Sequence, residues 1–119
     1  MAWKLLQYKN ASGEDLIDKF LDSLPKSQKA KALWELDLLR EYGLSLKMPY
    51  VRGIRGERYK GILELRIQQG KDISRIFYFL FVKDTFVLLH GFVKKDQKTP
   101  VKELETALRR KEDFLRRFR

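Results

Sequence analysis

The sequence contains no cysteine and a single histidine. Without cysteine there are no disulfides, no thiolate chemistry and no cysteine-held zinc, and one histidine leaves a conventional zinc site short of ligands. No metal or other cofactor is expected. Also missing is any apolar run of membrane-spanning length, and the opening Met1-Ala2-Trp3-Lys4 lacks the apolar core of a signal peptide. The default expectation is a cytoplasmic protein with no membrane partner. Acid is scarce beside base: 16 Asp and Glu stand against 26 Lys and Arg, for a net charge of +10. Such an excess on a small body favours a polyanionic partner.

With 119 residues, the chain has room for one domain spanning 1–119, and an apolar share of 44% is enough to build its core. The basic excess is uneven. Residues 1–50 carry 8 basic and 7 acidic side chains, 51–93 carry 8 and 4, and 94–119 carry 10 and 5. Attraction for phosphate therefore lies mostly after Tyr50.

Trp3 to Tyr8 reads as a short strand. Ser12 followed by Asp15 resembles a helix cap with an acid in the first turn, and Leu16, Phe20 and Leu24 then recur every four residues. Pro25 suits the first turn of a second helix, whose stripe of Ala32, Leu33, Leu36 and Leu39 runs until Gly43. Two consecutive helices make a hairpin.

From Lys47 to Gly61 the pattern dissolves into a basic loop carrying Arg52, Arg55, Arg58 and Lys60, with room for a short strand at Tyr50 to Ile54. Strands are then predicted at Ile62 to Gln68, Ile73 to Val82 and Thr85 to Val93, joined by links short enough for an antiparallel meander. Thr99 as cap and Pro100 at the first helical position open a C-terminal helix with Val101, Leu104, Leu108 and Leu115 on one side. The fold class is α+β.

Period two places Leu63, Leu65 and Ile67 on one face of their strand, and Ile62, Glu64 and Arg66 on the other. Arg75 shares a face with Phe77 and Phe79. Taken alone, Glu64 and Arg66 read as solvated charges on the outer face of a half-buried sheet. The third strand changes the weighing, because Phe86, Leu88, His90 and Phe92 alternate with Val87, Leu89 and Val93 and lead straight into Lys94, Lys95 and Lys98. Clustered cations bind phosphate, and they stabilise the charge that develops when a 2′-hydroxyl attacks the neighbouring phosphorus. Crowding of like charges also depresses a lysine pKa, so that an amine can act as a base near neutral pH.

His90 has the right residue type for acid–base work, but within Val87-Leu88-Leu89-His90-Gly91-Phe92 a packed, hydrogen-bonded histidine is the commoner outcome. Tyr78 likewise reads as core before it reads as a proton donor. Most of the aromatics must fill the core; Phe92, beside the lysine run, is the one best placed to stack on a base. Arg109, Arg110, Lys111, Arg116, Arg117 and Arg119 give the last helix a basic solvent side, open to reading as a solvated face or as a contact with RNA or ribosome.

Four stretches together resemble a known family: Leu63-Glu64-Leu65-Arg66, Ser74-Arg75-Ile76-Phe77-Tyr78, Leu88-Leu89-His90-Gly91-Phe92-Val93-Lys94-Lys95 and Gln97-Lys98-Thr99-Pro100. Their order and spacing are similar to the phage-related HigB branch of the RelE/ParE toxin superfamily, from about the first helix to the last. The resemblance implies a RelE-like fold, with a helical hairpin and C-terminal helix packed on a small, mainly antiparallel sheet. It also implies a toxin paired with a HigA-type helix-turn-helix antitoxin, touching operator DNA only through that antitoxin, and acting with the ribosome to cut mRNA.

By position, Arg66 and Arg75 match the family arginines that grip the scissile phosphate. Lys94, Lys95 and Lys98 match the basic segment after the last strand, for RNA binding and proton transfer, and Glu64 is a carboxylate that could be a base or merely orient Arg66. Arg58 and Lys60 of the basic loop join Lys98 and Phe92 as RNA-binding candidates. The sequence departs from the RelE and YoeB patterns, since Phe92-Val93-Lys94-Lys95 stands where they end in a catalytic tyrosine or a His-Tyr pair. The general base and acid are thereby unassigned. A ParE-like gyrase inhibitor and a non-catalytic basic RNA-binding module are the alternatives.

Overall fold

The computed structural model describes residues 2–94 and 100–118. In chain order the elements are strand β1 (Lys4–Gln7), helices α1 (Leu16–Ser23) and α2 (Lys26–Tyr42), strands β2 (Val51–Gly53), β3 (Ile62–Gln69), β4 (Asp72–Val82) and β5 (Thr85–Lys94), and helix α3 (Val101–Arg117). The meander expected from the short links is present: β3, β4 and β5 pair antiparallel in sequence order, β2 adds antiparallel to β3, and β1 adds parallel to β5.

The cap of α1 is Asp15 rather than Ser12, because its carboxylate accepts from the amides of Ile17 and Asp18. Ser12 is occupied one turn earlier, donating from its amide and hydroxyl to Asn10 Oδ1. Pro25 and Pro100 stand just before the first helical residues of α2 and α3. Thr99, expected as a cap, lies outside the described residues.

Helices cover both faces of the sheet, which is why neither face of β3 or β4 reads as clearly polar. Leu65, Ile67, Ile76, Tyr78, Phe86 and Leu88 pack with Ile17, Leu21, Leu36 and Leu39 of the hairpin. Ile62, Phe77, Phe79, Val87, Leu89 and Phe92 pack with Leu104, Ala107 and Phe114 of α3. Gly91 lets α1 come down onto β5: a Cβ there would stand 2.2 Å from the Phe20 ring.

One irregularity in β5 decides where the site can form. Phe77 pairs with His90 but Tyr78 pairs with Leu88, so Leu89 is an extra residue, a β-bulge. Simple alternation puts His90 and Phe92 with Phe86 and Leu88. The bulge instead shifts them to the α3 face. It does the same for Lys94, which pairs with Ile73 and therefore shares the face of Arg75.

Candidate active site

Arg66 on β3 and Arg75 on β4 are directly opposed partners across the ladder. Both residues line one cleft of about 150 Å³, together with Gln68, Tyr50 just before β2, and Lys31 and Glu35 of α2. A larger groove of about 420 Å³ runs between β1, α1 and the end of α3, with Leu6, Phe114 and Phe118 in its walls. Three of its charged groups are already employed, since Asp15 caps α1, Asp18 accepts from Gln7 at 2.7 Å and Arg117 pairs with Asp113 at 2.8 Å. The smaller cleft is the one that gathers the opposed arginines.

Glu64 is 0% exposed, so the solvated reading is overturned for it, and Arg75 on the neighbouring strand is 2% exposed. The carboxylate oxygen Oε1 of Glu64 lies 2.7 Å from Arg75 Nε and 3.4 Å from Arg52 Nη2. Glu64 thus braces Arg75 and Arg52, not the Arg66 two residues along its own strand. An ionised arginine away from water needs such a counter-charge. Burial still pulls the Arg75 guanidinium below its ordinary value, with Glu64 opposing and Arg66 adding to the pull.

Arg66 is differently placed. Among the described residues it makes no ion pair; its Nε has no hydrogen-bond partner, and Nη1 rests 3.8 Å from Met48 Sδ. A cation held in a cleft without an ion-pair partner is available to an incoming anion. Lys94 feels the same cluster: burial first, then the charges of Arg75, Arg52 and Arg66, hold its amine below the usual lysine range, against the pull of Glu64. Arg52, Arg66, Arg75 and Lys94 therefore form one electropositive field. Arg52 was readable only as part of a basic loop, and its pairing with Glu64 follows from β2 lying beside β3.

Other sequence candidates fall elsewhere. Phe92 is corrected: it is 6% exposed, set against Phe77 and His90, and has no free face for a base. Arg58 does not line the cleft. It forms a two-pronged pair with Glu105 of α3 at 2.6 and 2.7 Å, which holds that carboxyl down to about 2. Lys60 presents its carbonyl to Lys111 Nζ at 3.0 Å, beside the same helix. Lys95 and Lys98 lie outside the described residues. Tyr78 is core, its phenol pushed up by burial.

His90 bridges the sheet to α3. Its Nε2 lies 2.8 Å from Glu103 and its Nδ1 3.2 Å from Arg110 Nη1, which also donates to the Leu89 carbonyl at 3.0 Å. Because a guanidinium can only donate, Nδ1 must accept, and Nε2 carries the proton given to Glu103. Burial lowers the His90 pKa, with the Glu103 bond opposing and Arg110 reinforcing. The ring should thus hold a second proton less readily than a free imidazole. A titration followed by imidazole ¹⁵N chemical shifts is expected to show the Nε2–H tautomer in the neutral ring and a midpoint below that of a free imidazole, and an Nδ1–H tautomer or a raised midpoint would contradict this bonding.

Among the described residues no group of three or more His, Asp or Glu is placed to hold a metal, and no helix is long and apolar enough to cross a membrane. A five-stranded mixed sheet between a helical hairpin and a C-terminal helix, with arginines opposed on its central strands, defines an α+β protein of RelE-like architecture. The family described as phage derived protein Gp49-like (DUF891) matches residues 19–112. The chain belongs to that family, within the HigB-type branch. It is 31% identical over 117 residues to the protein named probable endoribonuclease HigB1 of Mycobacterium tuberculosis strain H37Rv, and equally to that of strain CDC 1551, covering 98% of this chain and 86% of the relative in each case.

Proposed function

We propose that this chain is the toxin of a type II toxin–antitoxin pair and a ribosome-dependent endoribonuclease that cuts mRNA and so halts translation. The observation that carries the reading is the opposition of Arg66 and Arg75 across β3 and β4, with Lys94 brought to their face by the bulge at Leu89. The name borne by the 31% identical relatives points the same way.

In this reading Arg66 and Arg75 grip the scissile phosphate, and the 2′-hydroxyl of the preceding nucleotide attacks it without a metal. Their forks match the two non-bridging oxygens, and their charge counters the negative charge that grows in the transition state. Glu64 holds Arg75 in place. Lys94 supplies further charge and, with its proton held less firmly than usual, a proton for the leaving 5′-oxygen. Lys95, Lys98, Arg58 and Lys60 serve the wider phosphate contacts of message or ribosome. A HigA-type helix-turn-helix antitoxin is the expected cytoplasmic partner, and the complex would meet operator DNA through that antitoxin.

A gyrase inhibitor of the ParE kind, or a binding module without chemistry, needs no convergent clamp around one phosphate. Primer extension on a translated message separates the readings. Breaks within codons, absent without ribosomes and ending in 2′,3′-cyclic phosphate, are expected. An intact message with gyrase-linked DNA damage would favour inhibition of gyrase, and an intact message with RNA bound would favour a plain binding module.

A further inference from the structure

We propose that Glu35, on the helical hairpin rather than the sheet, is the group that takes the proton from the attacking 2′-hydroxyl. The inference rests on the nuclease reading above and adds to it the proton acceptor that the family comparison left unassigned.

Glu35 occupies a position where an apolar residue is expected. On α2 it falls between Ala32, Leu36 and Leu39, the residues that pack on the sheet, and it is 1% exposed. Burying a carboxylate is costly unless it is well paired, and this one is not. Its Oε1 has no hydrogen-bond partner among the described residues, and its Oε2 lies 3.9 Å from Lys31 Nζ, too long for a hydrogen bond. A structural role would call for a satisfied carboxylate or an apolar side chain. Neither is present.

Glu35 is among the residues that line the cleft of Arg66 and Arg75. The charged and titratable groups around it are Lys31 of its own helix, Arg66 of β3, Arg75 of β4 and Tyr50 before β2. Burial raises its pKa to about 7, against the lowering influence of Lys31 and Arg75. A base poised near neutrality is both ionised often enough and basic enough to accept a hydroxyl proton. As negative charge grows on the phosphoryl group beside it, its hold on that proton strengthens.

The step balances without a co-reactant. The 2′-O–H bond breaks, its proton passes to Glu35, and the 2′-oxygen forms a bond to phosphorus. The bond from phosphorus to the 5′-oxygen then breaks, and that oxygen takes a proton from the Lys94 ammonium. A 2′,3′-cyclic phosphate and a 5′-hydroxyl result, and solvent returns Glu35 and Lys94 to their starting states.

The test is single-turnover cleavage by the full chain on programmed ribosomes, from pH 5.5 to 8.5. Wild type should show a rate that climbs with pH through about 7. Glu35→Gln should lower the maximal rate about 100-fold or more, abolish that climb, and leave the concentration for half-saturation within about twofold. Glu35→Asp, which keeps a carboxyl on a shorter arm, should recover part of the rate and the climb.

Stability gives a second readout. A carboxyl whose folded pKa lies above its unfolded value contributes stability at low pH that is lost as pH rises through the folded value. Glu35→Gln should therefore melt no lower than wild type at pH 8. A Glu35→Gln protein that keeps the wild-type rate and pH climb, or that loses activity only together with its fold, would overturn the assignment. Wild type that leaves the translated message uncut would instead sink the nuclease reading itself.

Discussion

Arg66→Ala is expected to reduce message cleavage about 100- to 1000-fold, the usual loss when one preorganised donor to a developing oxyanion is removed. Stability should change by no more than about 1 kcal/mol, since Arg66 braces no carboxylate among the described residues and is only half-buried. That combination makes it the cleanest probe of the clamp. Arg66→Lys should recover only part of the loss, because an ammonium keeps the charge but not the planar fork. The measurement is single-turnover primer extension beside urea unfolding. Full activity in a folded Arg66→Ala protein would remove the clamp from the mechanism.

Glu64→Ala should act mainly on the fold. It leaves the Arg75 guanidinium, 2% exposed, without the carboxylate at 2.7 Å. Breaking a buried pair from one side costs about 3–5 kcal/mol, a large share of the roughly 5–15 kcal/mol that holds a domain of this kind together. The urea midpoint should fall accordingly. Replacing both partners, as Glu64→Leu with Arg75→Met, removes two buried charges at once and should restore much of the stability. The double variant should fold and still fail to cut RNA. If Glu64→Ala unfolded at the wild-type midpoint, the bracing role would be wrong.

The architecture was legible where periodicity is strong. The stripe from Ala32 to Leu39, the two short links of the meander and the proline before α3 each mark one element, and the structure has them within a residue or two. The proposed site draws on residues that stood out by type on the sheet, Arg66, Arg75 and Lys94. What the sequence left obscure was geometry that turns on single residues. Nothing in the composition around Leu89 announces a bulge, because the inserted residue is as apolar as its neighbours. Yet that insertion carries Phe92 into the α3 layer and Lys94 to the face of Arg75.

Glu64 misled for a related reason. Alternation shows that a charge shares a face with Ile62, but not that an arginine from the next strand will close over it. Arg58 looked like one more cation in a loop until α3 presented Glu105. Glu35 left a trace that could have been used, a lone carboxylate at i+3 from Ala32 and i+4 from Lys31 on a helix face otherwise given to the core.

The arginines, the lysine and the proposed base matter only if one phosphate sits among them. The direct measurement is a cryo-EM structure of the toxin on a ribosome whose message carries a 2′-O-methyl group at the cut site, so that the nucleophile is blocked. The expected density places the scissile phosphate within hydrogen-bonding distance of both Arg66 and Arg75, with Lys94 on the side of the 5′-oxygen. A message running along Arg109 and Arg116 of the last helix, with the Arg66–Arg75 cleft vacant, would contradict the account.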